Sequence, residues 1–466
     1  MVKTLVSEAN YVLNSNKVAM VERMPEGKQT KFRMVVGVLI FVIYTLAASD
    51  RANIGFALPF IRQDFPMSNT EAGGIASAFL LAYALFQMPA GFAYSKWGVR
   101  KLFSISMVMT SVFTGLIGTS SSPFMIKLFR VGLGMSEAPL GVGIPTTINR
   151  WFPTKEKGTM AGIYMSAAKF GPVVVPVISA FIIQAFSWRE IFYFFAIPGV
   201  FLSCIWYWLV KNDPAQSPYC SAKEVAYIKQ EQQGIATKDI KKRTQNKKFE
   251  WLDKIIRTKV VKPIDTTKGI FCSWNIIGAA ICFFCLTGIV NILLTWIPTY
   301  LMKVKHFPIM QMGIISAMPW IGGVAGNIIG GWCSDNIFDK RRKPTMMFTA
   351  LSTCIMTIAL LNAPDDMWIL SGIFFVTGIC LNIGYGIYVA YVMKLATKEK
   401  YPIAYSFVNT IGQLGGASAP LLSGMILDSY NWDVLFMFVG AYAALCFIVL
   451  LTVVEPIPET SASRVE

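Results

Sequence analysis

The feature that most constrains this chain is a long series of apolar stretches that begins at residue 32 and continues almost to the C-terminus. Each stretch has about 20 residues, the length a helix needs to cross the hydrocarbon core of a bilayer. A spanning backbone must satisfy its own hydrogen bonds, and a helix does so within one segment. Because 54% of the residues are hydrophobic and only 15% are charged, we expect an all-α membrane protein.

A hydrophilic segment divides the apolar stretches into two groups of six, so we predict twelve transmembrane helices. The predicted spans are 32–58, 70–94, 101–121, 123–149, 157–184, 190–210, 269–299, 308–332, 343–362, 366–394, 400–427 and 431–453. The predicted domains are an N-terminal arm (1–31), a first six-helix bundle (32–210), a central loop (211–268), a second six-helix bundle (269–453) and a tail (454–466).

The two groups of helices repeat one another in sequence. Residues of the first group recur in the same order and at a constant spacing in the second: Gly171, Pro176, Ser179, Trp188 and Phe192 match Gly415, Pro420, Ser423, Trp432 and Phe436. Duplicated halves with the same order of helices are typical of transporters whose halves rock about a site near the midplane of the membrane. We therefore expect two pseudo-symmetric bundles around a central cavity.

The basic residues indicate the orientation of the chain. Most of the 42 lysines and arginines fall in loops on the side of the N-terminus, and the central loop holds the largest group. The positive-inside rule then places both termini and the central loop in the cytoplasm. The net charge of +16 follows from this bias, and its division among short loops argues against binding to nucleic acid.

Five charged residues lie deep within predicted spans of the first bundle, away from the span ends: Asp50, Arg51, Arg130, Glu137 and Lys169. A charge in the hydrocarbon core costs roughly 2.5–3.5 kcal/mol, so these side chains must pair or line a watery cavity. Arg130 and Glu137 are two helical turns apart and share one helix face. We expect Asp50 and Arg51 near the outer part of the first helix. A lattice of ion pairs that only holds helices together is the alternative.

The second bundle carries no clearly intramembrane charge, but it offers hydrogen-bonding and aromatic side chains at membrane depth. These are Asn291, Trp296, Asn382, Tyr385, Tyr388, Asn409 and Gln413. Such groups suit a polyhydroxylated ligand, although most aromatic residues in membrane helices serve packing or the lipid interface. The asymmetry predicts that one half holds the charges and the other contacts the neutral body of a substrate.

Cysteine and histidine give no sign of a metal site or of catalysis. The nine cysteines lie almost all in apolar segments, and the Cys282 and Cys285 pair has no second pair or histidine near it. His306, the only histidine, falls in an outer loop without a nucleophile or metal partner in evidence. We expect no enzyme activity, no catalytic residue, no metal and no cofactor.

An ordered set of motifs resembles the major facilitator superfamily, and within it the anion:cation symporter family. The markers are Asp50-Arg51-Ala52-Asn53, Tyr83 and Gln87 before Pro89, Arg130 with Glu137-Ala138-Pro139, Trp151-Phe152-Pro153, Thr295-Trp296-Ile297-Pro298 and Asn409. The resemblance covers about residues 30–455 and includes bacterial galactonate, glucarate and phthalate permeases and sialin-type transporters. Sialin-type transporters usually have a long glycosylated loop after the first helix, whereas the loop here is short. The chain is therefore more similar to a multi-pass permease of the bacterial inner membrane.

The resemblance implies roles for individual residues. Asp50 and Glu137 match the family's protonatable carboxylates, Arg51 and Arg130 its cationic partners, and Tyr83 and Asn409 positions that approach the substrate. Together with the polar and aromatic residues at membrane depth, the expected substrate-binding positions are Arg51, Tyr83, Gln87, Arg130, Lys169, Trp296, Tyr385, Tyr388 and Asn409. The superfamily's cytoplasmic latch is expected at Gly91, Gly98, Arg100 and Asp335, with Ser95 where an aspartate is usual. The pocket departs from the galactonate permease pattern at Ala48 and Ala168, so galactonate itself is not implied.

The expected activity is proton-coupled symport of an organic carboxylate by rocker-switch alternating access. A sugar acid (hexonate, hexarate or hexuronate) is the favoured substrate. An aromatic carboxylate permease, an organic anion antiporter and a membrane sensor without flux are the alternatives. The expected partners are the small anion, the proton and the lipid bilayer, with no nucleic acid and no obligate protein partner.

Overall fold

A computed structural model describes residues 30–233, 256–338, 341–397 and 400–457. The predicted N-terminal arm therefore lies almost wholly outside the described residues, as do the middle of the predicted central loop and most of the predicted tail. Below, the N-terminal half denotes residues 30–210 and the C-terminal half residues 269–457.

The N-terminal half consists of long helices whose starts are set by capping residues. Ser68 and Ser187 each begin a helix with a capping box, in which Glu71 or Glu190 accepts a hydrogen bond from the backbone of the cap. The helices are α1 (Phe32–Asp64), α2 (Asn69–Tyr94), α3 (Lys96–Gly118), α4 (Pro123–Trp151), α5 (Thr154–Ala185) and α6 (Trp188–Leu209).

The remaining helices belong to the central segment and the C-terminal half. They are α7 (Ala222–Gln233), α8 (Thr267–Cys272), α9 (Trp274–Lys303), α10 (Ile309–Trp332), α11 (Lys343–Leu361), α12 (Met367–Ile383), α13 (Ile387–Leu395), α14 (Tyr401–Ser429) and α15 (Trp432–Thr452). Two short parallel strands, β1 (Thr258–Val260) and β2 (Glu455–Ile457), join the central segment to the chain that follows α15.

Within the described ranges, nine helices are long and apolar enough to cross a membrane. The other three predicted spans are also helical: they correspond to α4, to α12 together with α13, and to α14. The structure therefore agrees with the predicted all-α membrane fold, although fewer helices than the predicted twelve qualify by length and hydropathy.

Helix α1 is longer than predicted, which moves the Asp50-Arg51 pair. It continues through Pro59 to Asp64, whereas the sequence placed its end at 58. A proline ring crowds the carbonyl four residues earlier and removes one backbone hydrogen bond, but neighbouring helices help a spanning helix to tolerate proline. Asp50 and Arg51 consequently lie near the middle of this 33-residue helix rather than near its outer part.

The predicted tenth span is broken at its centre. Helix α12 ends at Ile383 and α13 begins at Ile387, and the turn between them is Gly384-Tyr385-Gly386. The backbone N–H groups of Tyr385 and Ile387 donate to carbonyls three residues back, at 3.2 and 3.0 Å. Two glycines around one residue weaken a helix, since each loses more backbone freedom than alanine. The break leaves Tyr385 on irregular backbone within the membrane domain.

The two halves contact each other closely at the end of the molecule where α1 ends and α2 begins, called here the closed end. An ideal Cβ at Gly55 would lie 2.2 Å from the carbonyl oxygen of Leu294, and one at Gly73 would lie 2.2 Å from that of Pro420. These positions admit only glycine because backbone meets backbone there. The Ser77 hydroxyl also accepts a hydrogen bond of 3.1 Å from the backbone of Leu421.

The opposite end, called here the open end, shows the reverse pattern. A Cβ added at Gly91, Gly158, Gly162 or Gly331 would meet nothing within 4 Å. Gly91 lies on α2, Gly158 and Gly162 on α5, and Gly331 near the end of α10. The same three helices contact the other half at the closed end. The close backbone approaches between the halves that the structure describes thus lie at the closed end, and none involves these four glycines.

Candidate functional site

A buried ion pair joins α1 to α4 in the N-terminal half. The Nε and Nη2 atoms of Arg51 both lie 2.7 Å from Oε1 of Glu137. The Glu137 side chain is fully buried, and its second oxygen, Oε2, has no hydrogen-bond partner among the described residues. Glu137 thus pairs with the arginine of the neighbouring helix, not with Arg130 on its own helix.

Asp50 lies beside this pair without a cation of its own. Its carboxylate accepts a long hydrogen bond, 3.4 Å, from the Asn53 amide and lies near the Thr114 hydroxyl, and no ion pair within 4.0 Å is described for it among these residues. The Arg130 guanidinium donates to the backbone oxygen of Asp50 at 3.0 Å and lies 4.5 Å from the centre of the Phe79 ring. Asp50, Arg51, Arg130 and Glu137 are called here the charged cluster.

Tyrosine rings surround the exposed side of Arg51. Its guanidinium lies 4.5 Å from the Tyr83 ring and 5.7 Å from the Tyr44 ring, and Tyr44 packs on Tyr164 at 4.3 Å between centroids. Gly141 gives the Tyr83 hydroxyl room, since an added Cβ would lie 2.4 Å from it. Tyr44 and Tyr164 were not among the predicted site residues. Tyr44 lies two helical turns before Arg51, so the helical period placed it on the same face.

Lys169 connects the halves. Its ammonium nitrogen, on α5, lies 4.6 Å from the centre of the Tyr385 ring and 5.9 Å from that of Trp320, both in the C-terminal half. Among the described residues no carboxylate pairs with it. Trp320, which lies on α10, was not among the predicted site residues. Tyr385 occupies the break between α12 and α13, and discontinuous helices are typical of transporter binding sites.

Two predicted contacts lie in packed regions away from the charged cluster. The Trp296 indole is buried and donates to the backbone oxygen of Pro420 at 3.3 Å. The Tyr388 hydroxyl lies 3.3 Å from the Cys446 sulfur within the C-terminal half. Two further predicted substrate-binding residues are half-buried: Gln87, one helical turn from Tyr83, and Asn409 on α14. The structure thus brings together Arg51, Tyr83 and the two acids, but not Trp296 or Tyr388.

The predicted latch residues make contacts within their own halves. Gly98 has φ +72°, and an added Cβ there would lie 2.6 Å from the Asn212 side chain. The Arg100 guanidinium donates to the Tyr207 backbone oxygen at 2.8 Å, and Asp335 pairs with Arg342 at 2.8 Å. Gly98 therefore forms a kink in the first turn of α3. No described group of three or more histidine, cysteine or acidic residues could hold a metal.

These features define a polytopic membrane protein with charged groups buried between helices and two halves that meet at one end. The chain belongs to the Major Facilitator Superfamily, whose family model matches residues 40–420 and 336–466. The predicted family and fold class are confirmed, and family membership makes the protein a membrane transporter and not an enzyme.

Curated relatives extend over nearly the whole chain. It is 27% identical over 459 residues to the probable galactarate/D-glucarate transporter GudP of Bacillus subtilis (strain 168), covering 95% of this chain and 96% of the relative. It is 25% identical over 437 residues to the hexuronate transporter of the same organism, covering 92% and 96%. The probable galactarate/D-glucarate transporter GarP of Escherichia coli (strain K12) is 26% identical, covering 94% and 97%.

Solved structures share the fold at low identity. A D-xylose-proton symporter has a TM-score of 0.69 at 15% identity, covering 91% of this chain and 98% of that one. A bacterial homologue of the human lysosomal transporter Spinster, in an inward-facing and unoccupied conformation, has a TM-score of 0.67 at 15% identity, covering 91% and 94%. At this identity the likeness concerns the fold alone.

Proposed function

We propose that the protein is a symporter of the bacterial inner membrane that takes up a sugar acid together with a proton. The observation that carries the proposal is the buried Arg51–Glu137 ion pair, which joins a cation able to bind a carboxylate to an acid able to bind a proton. The relatives named as sugar-acid transporters support the substrate class.

The ion pair suggests how proton and substrate help each other to bind. While Glu137 is ionised, it neutralises Arg51 and competes with any external carboxylate. A proton on Glu137 removes that competition and leaves the guanidinium available to the substrate. By thermodynamic linkage, the bound anion then favours the proton to the same extent.

Asp50 is proposed as the second proton-binding group. It is buried, and a buried carboxylate without a cation partner is costly to keep ionised. Arg130, which holds the backbone of Asp50, is proposed to maintain a positive field toward the substrate carboxylate. Tyr83, Gln87, Tyr385 and Asn409 are proposed to contact the hydroxylated body of the substrate.

The transport cycle is proposed to be alternating access by rocking of the two halves. The positive-inside rule assigns the open end to the cytoplasm, so this conformation would release substrate inward. The helices that meet at the closed end would separate when the site opens to the outside, and the uncontacted glycines of the open end would then approach the other half.

The test of proton coupling is Glu137→Gln in proteoliposomes with an imposed pH gradient. The glutamine cannot exchange a proton, so we expect loss of uphill sugar-acid uptake while exchange of internal for external substrate persists. Glu190→Gln, at an exposed helix cap, is the matched control. Undiminished uphill uptake by Glu137→Gln would contradict the assignment, and uptake that survives an uncoupler in the unaltered protein would favour anion antiport.

The test of the arginine role is Arg130→Ala, assayed by equilibrium binding of the same acid to purified protein. We expect binding to fall by at least about tenfold, because a charge-assisted interaction contributes roughly 1.5–3 kcal/mol. Arg189→Ala, near the closed end, is the control and should retain binding. Normal affinity in Arg130→Ala would show that the charge is only structural.

A further inference from the structure

Lys169 is the intramembrane charge that the proposed mechanism leaves unused. The other four have partners in or near the charged cluster: Arg51 pairs with Glu137, and Arg130 holds the backbone of Asp50. The ammonium of Lys169 meets only aromatic rings, with no carboxylate of the described chain beside it. A positive charge at this depth is costly unless it faces a watery cavity or meets an anion.

The rings that hold Lys169 fix its position without neutralising it. Tyr385 and Trp320 attract the ammonium through their π faces, which carry partial but not full negative charge. Lys169 is half-buried, so the residue is not wholly enclosed by the described protein. A carboxylate entering from the cavity side would therefore find a preoriented cation.

Arg51, the other cation that the inference uses, is also held against tyrosine rings. Its guanidinium lies 4.5 Å from the Tyr83 ring and 5.7 Å from the Tyr44 ring. Lys169 lies 4.6 Å from the Tyr385 ring. The two cations belong to different helices, α1 and α5, and each has tyrosine rings beside it.

We infer that Lys169 binds a second carboxylate, and that the substrate is a dicarboxylic sugar acid, a hexarate, in preference to a hexonate or hexuronate. The inference rests on the proposed function. A proton on Glu137 leaves two available cations, Arg51 and Lys169, and a chain with a carboxylate at each end satisfies both. The tyrosines beside these cations, Tyr83, Tyr44 and Tyr385, carry hydroxyls that suit the secondary hydroxyl groups of such a chain better than the face of a benzene dicarboxylate.

The experiment measures equilibrium binding of four acids to the purified full-length protein: galactarate, D-glucarate, D-galactonate and phthalate. We expect both hexarates to bind at least about tenfold more tightly than galactonate, the size of one added charge-assisted contact. In Lys169→Gln the hexarate affinity should fall to that of galactonate, whose own affinity should change little. Lys169→Arg should restore most of the preference, since it keeps the charge.

Two further variants guard against indirect effects. Lys101→Gln removes an exposed lysine outside the site and should leave all four affinities unchanged. Lys169→Met keeps an apolar stem against the rings and should behave as Lys169→Gln does. Size-exclusion chromatography and thermal unfolding show whether each variant is folded, and Lys169→Arg and Lys169→Met keep the comparison possible if the glutamine variant is not.

The outcomes separate the inference from the proposed function. Equal affinity for hexarates and galactonate in the unaltered protein, or an equal loss for both in Lys169→Gln, would overturn the role of Lys169 but leave sugar-acid transport intact. Tighter binding of phthalate than of either hexarate would overturn the choice of a sugar diacid. Binding of none of the sugar acids would overturn both.

Discussion

The carboxylate of Asp428 gives the closed end a polar connection between halves that can be tested directly. It lies at the end of α14 and accepts hydrogen bonds of 2.8 Å from the backbone N–H groups of Asn69 and Thr70, and one of 2.6 Å from the Thr70 hydroxyl. Asn69 and Thr70 begin α2, so an acid of the C-terminal half caps a helix of the N-terminal half. Asp428→Ala should therefore loosen the closed end.

The magnitude follows from the contacts removed. Charge-assisted hydrogen bonds contribute roughly 1.5–3 kcal/mol. Because Asp428 is exposed, we assign the lower value to its three hydrogen bonds taken together. The helix dipole adds about 0.3–1 kcal/mol for an anion at an N-terminus. A loss of about 2 kcal/mol would shift the local closed-to-open equilibrium roughly 30-fold, since each 1.4 kcal/mol is a factor of ten.

Hydrogen–deuterium exchange of residues 66–76 reads this equilibrium, because two of the amides concerned donate to Asp428. We expect exchange there to become roughly 30-fold faster in Asp428→Ala and less so in Asp428→Asn, which keeps one acceptor. Asp366→Ala is the matched control: Asp366 accepts from Trp368 and Ile369 within its own helix, so its loss should affect only α12.

The reasoning would be refuted by unchanged exchange at the start of α2 in Asp428→Ala. It would also fail if Asp366→Ala accelerated exchange at α2 equally, because the effect would then be general loosening of the fold. The backbone approaches at Gly55 and Gly73 remain in all variants, so global separation of the halves is not expected.

Two other predictions concern stability and use thermal unfolding. Glu224 on α7 accepts hydrogen bonds from the backbone of Phe32 and Arg33 and pairs with the Arg33 guanidinium at 3.0 Å. Glu224→Gln should therefore lower the free energy of unfolding by about 1–3 kcal/mol. The control Glu71→Gln, at an exposed helix cap, should lower it by less than about 1 kcal/mol. Gly98→Ala should destabilise the protein by about 1–3 kcal/mol, because the backbone at Gly98 lies in a region that essentially only glycine adopts. Gly91→Ala, in an open helical position, should have little effect. Equal stability of the two alanine variants would contradict this prediction.

The helices were predictable because the bilayer imposes one length and one period on them, and the capping boxes at Ser68 and Ser187 mark their starts. The breaks were harder to predict because they depend on tertiary context. Helix α1 continues past its predicted end through Pro59, because the packing of neighbouring helices, which the sequence does not display, lets a spanning helix tolerate proline. The Gly384-Tyr385-Gly386 turn lay inside an apolar stretch that hydropathy alone cannot divide.

The site was predictable in its residues but not in its pairing. Charge within an apolar span marked Asp50, Arg51, Arg130 and Glu137 from the sequence alone. Spacing along α4 associated Arg130 with Glu137, but helix crossing decided that Glu137 meets Arg51. Trp320 carried no signal of its own, because tryptophan in a membrane helix is usually a packing or interfacial residue.

The positions of the charges also bear on how binding drives the change between conformations. The charged cluster lies wholly on α1 and α4, and the ion pair and the hydrogen bond described within it stay in the N-terminal half. A ligand shifts a conformational equilibrium only by interacting differently with the two states. Lys169 touches both halves, because its ammonium on α5 meets rings of the C-terminal half. Under the proposed mechanism, the anion bound by Arg51 and Lys169 therefore links protonation of the charged cluster to the contacts between the halves. A proton bound without substrate should shift the equilibrium between the two conformations little.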